Sequence, residues 1–216
     1  MANTRFSPED LERIKAAVAG AEGQTSGEIV PYYVESSDEY EESVWRGGVL
    51  ASTTALLVFY ALRTFTPIWL PFDLTETLFI ILLAAGLGSA LTYWLPPLRR
   101  LLAGRALLNR RTAARALEAF LSEEVFQTRD RTGILIFLSM FEHRVHIIGD
   151  SGINARVKPG EWEDIVEIII SGIKSGRPGE GLVLAIERCG DLLNRKEVER
   201  RQDDENELAD GMRMGQ

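Results

Sequence analysis

Two long runs without a charged residue constrain this chain more than any other feature of its sequence. The first covers residues 47–62 and lengthens to about 44–65 where the flanking arginines can turn their cations toward water. The second covers residues 77–98, about 33 Å as a helix, whereas the hydrocarbon core of a bilayer is about 30 Å thick. The alternative is a pair of helices buried in a soluble core, but such helices normally carry a polar stripe, and neither run does. The sequence therefore predicts a two-helix transmembrane hairpin over 44–98.

The residues around the hairpin indicate its orientation. Trp45, Trp69 and Trp94 fall where the runs meet water, as interfacial tryptophans do. The loop between the runs carries one basic residue, Arg63, whereas six follow the second run: Arg99, Arg100, Arg105, Arg110, Arg111 and Arg115. Basic residues stay on the cytoplasmic side, and the first 40 residues contain no apolar signal segment. We expect a protein integral to the cytoplasmic (inner) membrane of a bacterium, with both termini and the domain outside the hairpin in the cytoplasm.

The arginines of the segment Arg99–Arg115 also predict a lipid contact. Each basic residue near a membrane surface gains about 1 kcal/mol from anionic lipids, so this segment is expected to lie against anionic headgroups. The positive-inside signal alone is the simpler interpretation. Within the two runs there is no charge that could relay protons or ions. Small residues at four-residue spacing, Gly48 with Ser52 and Gly86 with Ala90, would let helices approach closely.

Composition excludes several classes of protein. With 24 basic and 32 acidic residues the chain has a net charge of -8, which disfavours nucleic-acid binding because phosphate neutralisation needs clustered positive charge. One cysteine, Cys189, excludes an internal disulfide framework and a four-thiolate zinc site, and its place on an apolar helical face predicts a buried thiol. The last stretch, 195–216, is charged and has no aromatic residue, so we expect a disordered tail there.

The two pieces outside the hairpin, 1–43 and 99–194, are expected to fold together. Ser7 and Pro8 form a helix start, and Gly27–Glu35 is a β-branched and aromatic strand whose Pro31 favours an edge or a bulge. The apolar runs 133–140 and 144–149 predict a β-hairpin around a short turn. Amphipathic helices are predicted over 105–126, 161–175 and 182–193. The predicted fold class is α/β, a small mixed β-sheet sandwiched by helices and interrupted by the two-helix transmembrane hairpin.

Several short motifs occur in an order and spacing that resemble those of a known family. They are Thr25-Ser26-Gly27-Glu28-Ile29, Arg131-Thr132-Gly133-Ile134-Leu135, Glu142-His143-Arg144-Val145, Gly149-Asp150-Ser151-Gly152-Ile153, and Gly181-Leu182 at the last helix. This pattern, over about residues 7–193 apart from the hairpin, resembles the TPM domain of plant thylakoid repair proteins and bacterial membrane proteins. The resemblance implies an α/β sandwich, calcium binding at acidic loops in some members, an acid-phosphatase activity in plant relatives, and membrane-associated roles in repair or assembly.

The chain departs from the family pattern before the central apolar strand. Many members carry Asp-Asn-Gly where this chain has Arg131-Thr132-Gly133, with Asp130 one place earlier. Calcium prefers about six to eight oxygen ligands, and the candidate ligands for Ca²⁺, or Mg²⁺, are Asp130, Asp150 and Glu161. Asp150 also fits an ordinary turn, and Glu161 an ordinary acid at a helix start. His143 and His146 lack the neighbours of a zinc site, and His143 fits the turn.

Two functions follow from these observations. The first is a membrane-anchored interaction, assembly or quality-control module whose partner is another membrane protein. The second is a divalent-metal-dependent phosphatase of modest activity, in which Arg129, Arg131 and Arg156 would help the metal to neutralise phosphate. The sequence offers no complete set of catalytic residues, so it does not decide whether the chain is an enzyme.

Overall fold

The structure of this protein, a computed structural model, describes residues 6–65, 72–196, 198 and 206–215. It divides into two compact units, one of Met1–Ser37 with Arg110–Gln216 and one of Asp38–Asn109. The elements in chain order are α1 (Pro8–Glu22), β1 (Glu28–Val34), α2 (Glu41–Phe65), α3 (Leu74–Trp94), α4 (Pro96–Ala103), α5 (Arg105–Ser122), β2 (Gly133–Ser139), β3 (Arg144–Gly149), α6 (Ser151–Asn154), α7 (Glu163–Lys174), α8 (Pro178–Arg195) and β4 (Arg213–Met214). A 3-10 turn, Pro159–Trp162, precedes α7. Trp69 lies outside the described residues.

The first unit is built on a four-stranded mixed sheet with the order β3-β2-β1-β4. β1 and β2 are parallel, with Glu28 opposite Gly133 and Val34 opposite Ser139. β3 returns antiparallel to β2 through a turn in which His143 has a φ of 54°. The predicted α/β class, with its small mixed sheet and β-hairpin, is confirmed.

Helices cover both faces of this sheet because the side chains of β1 alternate between two cores. Ile29 and Tyr33 belong to the core that includes residues of α1, α7 and α8, whereas Val30 and Val34 pack with Phe120 of α5. A parallel strand pair needs a crossover connection, and here the chain between β1 and β2 runs through α2, α3, α4 and α5. The chain of the predicted hairpin is thus inserted into the crossover of an otherwise ordinary α/β layer.

The C-terminal segment corrects the prediction of a disordered tail over 195–216, which is wrong for residues 206–215. β4 pairs with Tyr32 and Tyr33 in β1, next to Pro31, which cannot donate a ladder hydrogen bond. Gly215 donates its N–H to the carbonyl of Tyr33 at 2.9 Å. Backbone pairing, polar contacts and the packing of Leu208 and Met212 against the two cores place this segment. Helix α8 also continues to Arg195.

The second unit contains the two predicted spans. The most apolar 18-residue stretches of α2 and α3 have mean hydropathies of 1.4 and 1.9. Only 6% of the residues in the first stretch and 0% in the second are buried, so these apolar stretches face outward. Both are long and apolar enough to cross a membrane. Small residues let them pack closely: a Cβ on Gly48 would lie 2.4 Å from the hydroxyl oxygen of Ser89. Gly48 therefore contributes to the packing of α2 against α3 inside the hairpin.

The end of the second span differs from the prediction. The apolar run 77–98 is not one helix, because α3 begins at Leu74 behind an Asp73 cap and ends at Trp94. Leu95 is extended, as residues before a proline usually are, and Pro96 opens the separate helix α4. The Nη1 of Arg46 donates to the carbonyl of Leu102 at 2.7 Å, so its cation caps the end of α4. The predicted helix over 105–126 also ends earlier, at Ser122.

A buried carboxyl lies where α1 meets the start of β1. The Oε1 of Glu22 accepts a hydrogen bond from the N–H of Ile29 at 2.8 Å. Burial, together with the nearby charges of Glu28 and Asp210, raises the pKa of Glu22 to about 8, although the Ile29 hydrogen bond opposes the shift. Glu28 is itself buried and accepts from the N–H of Glu207 at 3.2 Å. This end of the sheet therefore holds two acids in close proximity.

The raised pKa of Glu22 predicts how stability depends on pH. The folded state is favoured when the Glu22 carboxyl is neutral. The contribution of this group to the free energy of unfolding is therefore complete below pH 4.5 and is lost as the pH rises through about 8. We expect Glu22→Gln to flatten the fall in thermal stability between these values, since the amide oxygen can still accept from Ile29. Thermal unfolding of the detergent-solubilised chain, followed by circular dichroism across this range, measures the effect. Glu187→Gln, at an exposed position of α8, is the control. An unchanged pH profile in Glu22→Gln would contradict the prediction.

Candidate functional site

Two loops meet at one end of the sheet, where β2 begins and β3 ends. We call residues 128–132 and 150–156 the loop corner. The N–H of Asp150 donates to the carbonyl of Gly133, and that of Gly152 to the carbonyl of Arg131, both at 2.9 Å. A Cβ on Gly152 would lie 2.3 Å from the carbonyl oxygen of Asp130, so only glycine permits this close approach. Backbone contacts between the two loops thus hold the corner together.

Asp150 is the buried charge of the loop corner. The guanidinium of Arg131 contacts it with two nitrogens, Nε at 2.7 Å from Oδ2 and Nη2 at 3.1 Å from Oδ1. The same Oδ1 accepts from the N–H of Ser151 at 2.6 Å, so Asp150 caps the short helix α6. Arg131 is half-exposed, has a φ of 57°, and stacks over the ring of Phe126 at 5.7 Å. The chain therefore has a bidentate ion pair between Arg131 and Asp150 at the position of the Asp-Asn-Gly motif that the family resemblance led us to expect.

The three predicted metal ligands are not brought together. Asp130 and Asp150 both belong to the loop corner, with Asp130 exposed. Glu161 instead accepts from the N–H of Lys158 at 2.9 Å and lies 2.6 Å from the Nζ of Lys196. The hydrogen bond from Lys196 lowers the pKa of Glu161 below its usual value. Among the described residues, no three side chains of His, Cys, Asp or Glu are arranged to hold a metal ion. Calcium or magnesium binding stays a prediction.

The charges of the loop corner suit an anion better than a cation. Half of the Arg131 side chain is open to solvent even though it neutralises Asp150. Arg156 is exposed on the facing loop, where its Nη1 donates to the carbonyl of Gly152 at 3.0 Å. Two guanidinium groups on two adjoining loops could contact phosphate oxygens, which guanidinium recognises through paired hydrogen bonds.

A second polar cluster lies at the opposite ends of the parallel strands, and sequence reasoning missed it. Glu142 is buried in the turn after β2, where its Oε1 accepts from the N–H of Ser37 at 2.8 Å. The Ser139 hydroxyl hydrogen-bonds to Glu142 and lies 2.8 Å from the hydroxyl of Ser37. These bonds tie the chain leaving β1 to the β2–β3 turn. In the sequence Glu142 looks like an ordinary solvated turn residue, and only the buried Ser139 at the end of an apolar strand hints otherwise.

The remaining nucleophile and ligand candidates have structural roles. Cys189 is buried, as predicted. Burial raises the pKa of its thiol to about 12, which disfavours the reactive thiolate. The Nε2 of His146 lies 2.9 Å from the hydroxyl of Thr112 in α5, and burial lowers the pKa of His146. His143 occupies the turn predicted for it.

Comparison with known proteins connects this geometry to a family. Residues 105–192, from α5 through most of α8, match the family model described as the TPM domain. This part of the chain is therefore similar to the TPM domain. The first helix and first strand lie outside the matched range, so the structure, not the family model, joins them to the TPM domain through the β1–β2 pairing. The earlier resemblance to this family is confirmed.

A solved structure supports the fold of this chain. It is the NMR structure of the BA42 protein from the psychrophilic bacterium Bizionia argentinensis, which matches with a TM-score of 0.61 and 20% sequence identity. The match covers 100% of this chain and 99% of that chain. At this identity the likeness shows the fold alone. A comparison with curated proteins gives no match.

Proposed function

We propose that this protein is a membrane-anchored interaction module, which acts in the assembly or quality control of other membrane proteins. The observation that carries the proposal is the pair of outward-facing apolar helices inserted into the crossover of the domain. Such an insertion confines a folded α/β domain to a membrane surface. A domain confined in this way meets other membrane proteins at high effective concentration, so even weak contacts are productive.

The orientation of the anchor belongs to the same proposal. The arginines from Arg99 to Arg115 place the domain on the cytoplasmic side of the inner membrane and contact anionic headgroups. Arg115 contributes less, because its Nη1 lies 2.8 Å from the Oε2 of Glu118 in the same helix. Neither nucleic acid nor a diffusible protein is the expected partner of a net acidic domain held at a bilayer.

The paired polar side chains of the first unit support a binding role over a catalytic one. Arg131 engages Asp150, Lys196 engages Glu161, and Ser139 engages Glu142. Each contact holds a loop or turn in place, which is what a preformed binding surface requires.

Crosslinking in native membranes tests the interaction module. The full chain is crosslinked in intact cells, purified in mild detergent, and its attached proteins are identified by mass spectrometry. We expect the wild type to capture recurrent membrane proteins. We expect Gly133→Ala to lose them, because a Cβ at this position clashes with the backbone of Val125 and disrupts the domain while the anchor is kept. Failure to find a recurrent membrane protein would contradict the proposal, and so would equal capture by Gly133→Ala.

The loop corner favours a second candidate function, a divalent-metal-dependent phosphatase of modest activity. Asp130, Arg131, Asp150 and Arg156 lie on its two adjoining loops, and a metal held there by the two acids would add to the charge that the arginines offer a phosphate. Purified full chain is assayed on a panel of phosphate esters with added Ca²⁺, Mg²⁺ or Mn²⁺. Turnover that disappears in Asp130→Asn and Asp150→Asn, both still folded by circular dichroism, would support this candidate. The absence of turnover under all three metals would remove it.

A further inference from the structure

One edge of the sheet lies beside an apolar cleft. β3 is the last strand in the order β3-β2-β1-β4, so its outer backbone groups face away from the sheet. The opposite edge differs, since β4 covers part of β1 there. β3 offers six residues, Arg144–Gly149, long enough to pair with an added strand.

A cleft of about 430 Å³ runs between β3 and α7. Val145 and Ile147 line it from the strand and Val166 lines it from the helix. Val145 and Ile147 are two residues apart, so both project from the same face of β3. An edge strand beside a helix, with an apolar cleft between them, is the geometry in which an extended peptide can add backbone hydrogen bonds to the strand and place alternate side chains in the cleft.

The charge at this cleft restricts what can occupy it. Glu163 and Glu167 also line it, and their four-residue spacing puts both on one side of α7. Neither carboxylate forms an ion pair with a described residue. A bound segment that is apolar at one position and basic two residues away could contact Val145 and Ile147 with its apolar side chain. Its basic side chain could then pair with Glu163 or Glu167.

We propose that the β3–α7 cleft binds an extended segment of a membrane protein partner in which apolar residues and Lys or Arg take every second position in turn, and that this segment pairs with β3 as an added strand. Cytoplasmic segments next to transmembrane helices have this chemistry, because basic residues are concentrated there. The inference rests on the proposed interaction module and names its partner class.

Peptide binding to the full chain in lipid nanodiscs tests this inference. The probe is a fluorescent peptide of about eight residues in which valine and lysine take every second position in turn, with threonine between them, and the comparison peptide replaces each lysine with glutamate. We expect the lysine peptide to bind and Glu163→Lys with Glu167→Lys to weaken it about tenfold while improving the glutamate peptide. Glu12→Lys with Glu187→Lys makes the same charge change at exposed positions of α1 and α8 and is expected to leave the cleft unaffected. Equal loss in both double variants would overturn the proposal, since it would report net charge alone.

N-methylation distinguishes strand addition from simple charge attraction. An added strand pairs through alternate N–H groups, so N-methyl groups on one alternate set of peptide residues should abolish binding and those on the other set should not. Equal binding of both N-methylated peptides would overturn the proposal. So would a dimer, measured without peptide, that is lost when Ile147 is changed to lysine, because a second copy would then occupy the edge.

The crosslinking experiment separates this inference from the proposed function. If the double variant with Glu163→Lys and Glu167→Lys still captures the partners, the cleft is not their binding site, but the proposed interaction module is unaffected. Partners lost with the cleft double variant but retained with Glu12→Lys and Glu187→Lys would support both.

Discussion

Replacement of Gly133 by alanine is expected to unfold the α/β domain. Gly133 is the first residue of β2, paired with Glu28 in β1 and accepting a hydrogen bond from the N–H of Asp150. A Cβ at this position would lie 1.9 Å from the carbonyl oxygen of Val125 and 2.9 Å from its carbonyl carbon. Because these are backbone atoms, no side-chain rotation relieves the clash. The substitution must move either β2 or the segment after α5.

The expected cost is at least about 3 kcal/mol, a large share of the roughly 5–15 kcal/mol that stabilises a typical domain. Urea unfolding of the detergent-solubilised chain, followed by circular dichroism and by protease resistance of the domain, measures it. Gly20→Ala is the matched control, because a Cβ on Gly20 in α1 meets nothing within 4 Å. We expect the control to gain up to about 1 kcal/mol from the higher helix propensity of alanine. Wild-type stability in Gly133→Ala would contradict the described register of β2.

Replacement of Gly88 by leucine is expected to separate the two helices of the hairpin. A Cβ on Gly88 would lie 2.4 Å from the Cβ of Ala51 and 2.6 Å from the carbonyl oxygen of Gly47. A Cβ on Gly47 would in turn lie 1.9 Å from the hydroxyl oxygen of Thr92, which is fully buried. Close backbone approach of this kind is what holds apolar helices together in lipid, where the hydrophobic effect does not.

Gly86 provides the control for the hairpin, because it lies two residues away in the same helix and a Cβ there meets nothing within 4 Å. Spin labels at the exposed positions of Leu57 and Leu82 report the distance between α2 and α3 by electron spin resonance, while Cys189 is buried and stays unlabelled. We expect Gly88→Leu to lengthen and broaden the distance distribution by several ångströms and Gly86→Leu to leave it unchanged. Identical distributions in Gly88→Leu and wild type would contradict the packing of the hairpin.

The elements that the sequence predicted are those set by local patterns in the chain. The uncharged runs, the β-hairpin of β2 and β3, and the helix start at Ser7 and Pro8 each follow from periodicity or capping, and all are present. Pro31 favoured an edge strand or a bulge, whereas β1 lies between β2 and the two-residue β4, which pairs with it only beyond Pro31. Local rules were sufficient at these positions because the tertiary contacts agree with them.

The parts that the sequence did not predict depend on contacts between distant residues. Glu22, Glu142 and Asp150 all occur in stretches that read as solvated, yet each is buried because a partner from another segment or element satisfies it. The ordered segment at residues 206–215 follows the same principle, since Arg213 contacts the carboxylate of Glu123 at 3.1 Å. Asp130 and Asp150 both lie in the loop corner, whereas Glu161 lies before α7, where Lys196 from the end of α8 engages it.

We propose that one α/β domain, formed from pieces on both sides of the hairpin, is held at the cytoplasmic face by two membrane crossings. Labelling of one added cysteine at a time with a membrane-impermeant maleimide tests this topology, while the buried Cys189 stays unlabelled. Cysteines are placed at three exposed positions: Glu12 in α1, Thr75 in the first turn of α3, and Glu187 in α8. In sealed vesicles of known orientation, we expect Glu12→Cys and Glu187→Cys to react from the cytoplasmic side and Thr75→Cys from the opposite side. Reaction of all three from the same side would contradict it.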